Sequence, residues 1–93
     1  INGLVYARGQ AEDYDHWRQL GCTGWSYADV LPAFRRAEGA AMDGLDEGFH
    51  GTDGPLGVAR ASSHPLCDAY IDAAAQAGIP KNPDCGRCET VGT

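Results

Sequence analysis

The side chains best suited to chemistry in this sequence are four cysteines and three histidines. Cys85-Gly86-Arg87-Cys88 has the two-residue gap shared by metal sites and redox pairs. A zinc site needs further ligands, and His64 with Cys67 can complete a set of four. Against that, Cys22 and Cys67 stand far from the pair and from each other, as unrelated thiols in a reducing compartment do. His50, among glycines, is a general base by residue type. The plainer reading is a turn residue that bonds to backbone. His16 falls on a helix surface and His64 close to a helix cap. Asp43, Asp46, Glu47 and Asp53 carry enough charge for calcium, but their spacing does not match an EF-hand loop, which favours a solvated acidic loop. Asn2-Gly3, taken alone, is a turn dipeptide.

These residues need elements to position them. A helix is expected over 11–20, with Glu12, Asp13 and Asp15 in or near its first turn, where the helix dipole favours negative charge. Tyr14, Trp17 and Leu20 form its apolar stripe. A second helix is expected over 26–37. Ser26 caps it, Asp29 answers three residues on, and Trp25 with Val30 makes a hydrophobic staple. Pro32 removes one backbone bond and bends the axis. Residues 39–54 read as a glycine-rich loop, and 55–60 as a short strand, at a sheet edge because of Pro55. The third helix covers 64–77, with Pro65 in the first turn and Gly78 at the end. Residues 79–93 read as loop. Trp17, Trp25, Tyr14 and Phe34 are core or staple residues.

The whole is an α+β fragment, mainly helices and loops with a short strand. Its 93 residues allow burial of roughly 60–65% of the unfolded surface, and 13 glycines raise the entropy lost on folding. Each helix stripe needs a partner, and the strand has no convincing second strand with which to satisfy its ladder groups. Both ends, Ile1-Asn2-Gly3 and Val91-Gly92-Thr93, read as cuts through a longer protein. The net charge of −6 argues against nucleic acid or an anionic membrane surface as partner, since both require clustered Lys and Arg. No apolar run approaches the ~20 residues of a membrane span.

Four blocks then carry a resemblance. They are Ile1-Asn2-Gly3-Leu4-Val5-Tyr6-Ala7-Arg8-Gly9-Gln10 followed by Asp13 to Trp17; Gly24-Trp25-Ser26-Tyr27 through Phe34; His50-Gly51-Thr52-Asp53-Gly54-Pro55-Leu56; and Asn82-Pro83-Asp84 with Glu89-Thr90-Val91-Gly92. In this order they resemble the glucose-methanol-choline (GMC) oxidoreductases, in particular bacterial choline and long-chain alcohol dehydrogenases.

The resemblance implies a larger enzyme with a Rossmann-type FAD-binding domain and a substrate domain. Such an enzyme oxidises a small-molecule alcohol by hydride transfer to FAD. It assigns 1–45 to the flavin-wrapping loop and following helices, and 46–93 to the start of the substrate domain. By position, Asn2, Gly3, Leu4 and Val5 are the cofactor contacts. Ile1 stands where some relatives carry a flavin-linked His, so the FAD is expected to be non-covalent. The resemblance places no catalytic residue in this chain, so the isolated chain should be inactive, its partners being the alcohol and the rest of the parent chain. Arg8 either faces the flavin phosphates or pairs with a nearby acid. A cytoplasmic or peripherally membrane-associated location is expected. The alternatives are a small Cys/His metal-binding module and a non-catalytic adaptor.

Overall fold

The computed structural model describes residues 5–60 and 62–82. In chain order the elements are α1 (Ala11–Gln19), α2 (Tyr27–Ala37), β1 (Glu38–Gly39), β2 (Leu56–Gly57) and α3 (Pro65–Gln76). They fall into two compact units, Ile1–Ala59 and Arg60–Thr93.

In the first unit the chain enters as an extended segment and turns into α1. The Asp13 carboxylate accepts the Gln10 amide proton at 2.8 Å, which satisfies a donor that the helix cannot. After α1 the chain reverses through Gly21 and Gly24, at φ of 105° and 84°, where a side chain would be strained. Ser26 then starts α2. Its hydroxyl accepts from the Asp29 amide at 3.3 Å, while the Asp29 carboxylate takes the Ser26 amide at 3.1 Å. This is the reciprocal cap that the sequence predicts. α2 runs on through Pro32 without a break.

The two helices meet on aromatic rings. Tyr14 is buried, with Trp17 edge-on at 5.4 Å, Phe34 at 5.6 Å and Tyr27 at 6.4 Å between ring centroids. Asp15 adds a polar tie by accepting the Tyr27 amide at 2.9 Å. The expected apolar stripe of α1 is only partly covered. Trp17 is 43% exposed and Leu20 71%, because α2 reaches only the Tyr14 side of so short a helix. Trp25 is also about half exposed, and its ring lies 6.2 Å from that of Trp17.

The expected strand over 55–60 forms as Leu56–Gly57, and it does have a partner. α2 passes directly into β1, which pairs with β2 in parallel, Glu38 opposite Leu56 and Gly39 opposite Gly57. The expectation of an unpartnered strand is therefore corrected. Parallel strands need a long crossover, and here the loop between 40 and 55 provides it. Its backbone is stitched to the α2 end by Ala40 N–H to Gly51 O at 2.9 Å and Gly54 N–H to Glu38 O at 2.9 Å. The approach is so close that a Cβ at Gly51 would lie 1.8 Å from the Arg35 carbonyl oxygen. One at Gly54 would lie 2.3 Å from the Ala37 carbonyl carbon. Glycine is needed at these two positions for space.

The second unit contains α3. His64 caps it, its Nδ1 accepting from the Leu66 amide at 3.2 Å. At the far end Gly78 has φ of 91°. The Ile79 amide bonds to Ala74 O at 3.0 Å and the Gly78 amide to Ala75 O at 3.1 Å, a Schellman closure. Leu66, Tyr70 and Ile71 are exposed along this helix.

Two expectations follow. Gly51→Ala should destabilise by more than about 3 kcal/mol in denaturant unfolding, since backbone must move. Gly57→Ala, with open space around the added methyl group, should be near neutral. The cap gives a pH signature. Hydrogen bonds from the Ser26 side chain and then its backbone hold the Asp29 carboxyl below its ordinary 3.8. A depressed carboxyl pKa contributes stability above its unfolded value, and that contribution disappears as pH falls through the folded value. Ser26→Ala should cost about 1 kcal/mol at neutral pH, and its effect should shrink below pH 3.8.

Candidate functional site

The largest fully buried side chain among the described residues is an acid, Glu38. It sits where α2 becomes β1, so the helix end and the parallel pairing together fix its backbone. Its two oxygens gather donors from three other positions. His50 Nδ1 lies 2.8 Å from Oε1, the Gly51 amide donates to Oε2 at 3.1 Å, and the Arg8 guanidinium donates to Oε2 through Nη2. A carboxylate paired with arginine can only accept, so His50 carries its proton on Nδ1.

Arg8 is as deeply held. Its side chain is 2% exposed, and Nη1 donates to the Phe49 carbonyl at 2.7 Å. The guanidinium lies over the Phe49 ring at 4.4 Å and near the Phe34 ring at 5.1 Å, where ring quadrupoles favour a cation. Its Nε has no acceptor among the described residues. The next residue is also tied, the Gly9 amide donating to the Tyr14 hydroxyl at 3.0 Å. The segment 5–10, which has no helix or strand of its own, is thus fastened to α1, to the α2 end and to the 49–51 turn. That turn is itself shaped by Asp46, whose carbonyl accepts from the Phe49 and His50 amides at 3.0 and 2.8 Å.

The cluster is an internal network of charge-assisted hydrogen bonds. Glu38 is sealed and His50 is 7% exposed. A general base needs reach to its proton, which this buried carboxylate lacks. His50 bonds to backbone through its own amide, which donates to Asp46 O at 2.8 Å, as the turn reading expects, and its ring also meets the Glu38 carboxylate. Of the two readings of Arg8, the structure realises the pairing with an acid. His16 lies on the exposed surface of α1 and His64 at the α3 cap, both as expected. Cys22 and Cys67 are exposed thiols. Cys85 and Cys88 fall outside the described residues, and so do Asn2, Gly3 and Leu4. Val5 is described and is 64% exposed. Sequence reasoning missed Glu38 altogether. An acid after two arginines at a helix end carries no local mark of burial, and its partners are distant in sequence.

Fold and site together define a small α+β module organised on a buried carboxylate–guanidinium anchor. The module has known relatives: the chain belongs to the GMC oxidoreductase family, whose sequence model matches residues 1–93. It is 52% identical over 85 residues to an oxygen-dependent choline dehydrogenase of Sinorhizobium fredii. The corresponding proteins of Rhizobium johnstonii and Brucella anthropi are 51% and 48% identical over 85 residues. Each match covers 90% of this chain and 15% of the relative, so the chain spans a small part of the length of these curated relatives.

Truncating the anchor should be severe. Glu38→Ala leaves Arg8 buried without its counter-charge, and denaturant unfolding should show a loss of about 3–5 kcal/mol. Arg36→Ala, on the exposed side of α2, should change stability by no more than about 0.5 kcal/mol.

Proposed function

We propose that this chain is a segment of a larger FAD-dependent oxidoreductase that acts on CH–OH groups, with choline as the favoured donor. The observation that carries the reading is the family match across residues 1–93, joined to about half-identity with proteins named as oxygen-dependent choline dehydrogenases. In that enzyme residues 1–45 belong to the Rossmann-type FAD-binding domain, and 46–93 begin the substrate domain.

The described residues fit a flavin-facing role for the start of the chain. Val5 presents an apolar side chain to the outside, suited to a ring face, while Arg8 and Gly9 fasten the segment behind it. FAD, when bound, supplies the acceptor for the hydride that leaves the alcohol carbon. Asn2, Gly3, Leu4 and Val5 contribute backbone amides and apolar contact. Gly3 lacks the Cβ that would hold backbone away from a flat ring. Ile1 offers no atom able to bond covalently to the ring, so the FAD is held by non-covalent contacts alone. This chain contributes cofactor binding and no catalytic group, and the isolated 93 residues oxidise no alcohol.

The test uses the complete enzyme that contains this chain. Anaerobic choline should bleach its visible flavin absorbance, and acid denaturation should release FAD into the supernatant. A colourless protein that takes up no added FAD overturns the proposal. Flavin retained on the precipitated polypeptide overturns its non-covalent part.

A further inference from the structure

We infer that Glu38 is a positioning residue for the flavin-facing segment, acting through the Arg8 guanidinium. The inference rests on the flavin reading above. Residues 5–10 have no regular secondary structure, so side-chain ties fix where they lie. Among the described residues, Gly9 and Gln10 bond to α1, at the Tyr14 hydroxyl and the Asp13 carboxylate. Among the described residues, the hydrogen bonds that carry the segment beyond α1 all come from Arg8, to Glu38 and to Phe49 O.

Arg8 lies three residues after Val5, which is at most about 11 Å of extended chain. A shift of the guanidinium is therefore passed along the backbone toward Val5, the described member of the proposed cofactor contacts. Glu38 decides where the guanidinium sits. Its Oε1 is engaged by His50 and its Oε2 by the Gly51 amide, so the carboxylate offers Arg8 a single orientation. The Phe49 ring and carbonyl bound the same slot from the side. Glu38→Gln removes the negative charge beside the guanidinium; its amide NH2 meets two obligate donors in the place of Oε2, and in the place of Oε1 it requires His50 to move its ring proton to Nε2. Arg8→Lys keeps the charge and loses the planar fork that reaches Glu38 and Phe49 O together.

The experiment measures FAD dissociation constants and the visible spectrum of bound flavin for the complete enzyme. Wild type, Glu38→Gln, Arg8→Lys and Ser26→Ala are compared. Ser26→Ala weakens the α2 cap without touching the anchor, and so reports on stability loss alone. Glu38→Gln and Arg8→Lys should each weaken FAD binding by about tenfold or more and shift the flavin band. Ser26→Ala should stay within about twofold of wild type with an unchanged band. Should Glu38→Gln fail to fold, Arg8→Lys decides the matter by the same two readouts. Wild-type affinity and spectrum in the anchor variants overturn the inference while leaving the flavin reading intact. So does an equal loss in Ser26→Ala. A wild-type enzyme that binds no FAD overturns both.

Discussion

A carboxylate withdrawn from water must be surrounded by donors, and much of the first unit is arranged to supply them to Glu38. The desolvation of an ion costs several kcal/mol even after relaxation. Here it is offset by a guanidinium, an imidazole N–H and a backbone amide that reach one side chain from Arg8, His50 and Gly51. No local segment could provide that set. The entry segment, the α2 end and the 49–51 turn have to converge, and the convergence sets the other unusual features of the unit. The loop crosses the α2 end so closely that Gly51 and Gly54 leave no room for a methyl group. The parallel pairing of β1 with β2 is the backbone side of the same crossing.

How much of this was legible depended on range. The α2 start was written in Ser26 and Asp29, three residues apart, and the cap forms as read. The α3 end was written in Gly78, and its left-handed turn closes the helix. β1 was not legible. Two residues continuing from a helix have no period to detect, and their partner is fixed by a loop crossing rather than by a hairpin turn. The anchor was illegible for a related reason. Arg8, Glu38 and His50 each look like ordinary surface or turn residues in their own neighbourhoods. The aromatic residues were half legible: Tyr14 is buried as its spacing suggests, while Trp17 and Trp25 lie about half exposed. The family was legible from ordered blocks spread along the chain, and the family match over residues 1–93 agrees with it.

These features make physical sense together if the chain works inside a larger flavoenzyme. Trp17, Leu20 and Trp25 in the first unit, and Leu66 and Tyr70 in the second, present apolar surface that each unit does not cover. The curated relatives are several times longer than the stretch they share with this chain. In such a setting a small unit does not need a large apolar core of its own. It needs a defined geometry at the point where it meets the cofactor. A buried, directional, charge-assisted anchor provides direction where a few apolar contacts would allow slippage.

Arg8 and Glu38 act as one unit, and a double-mutant cycle on their truncation to Ala measures that coupling. Unfolding free energies of the two single variants and the double variant give the coupling. The second truncation should cost far less than the first, with a coupling energy of about 1.5 kcal/mol or more. Costs that add to within about 0.3–0.5 kcal/mol would mean that the two side chains stabilise the protein independently, contrary to the structure described above.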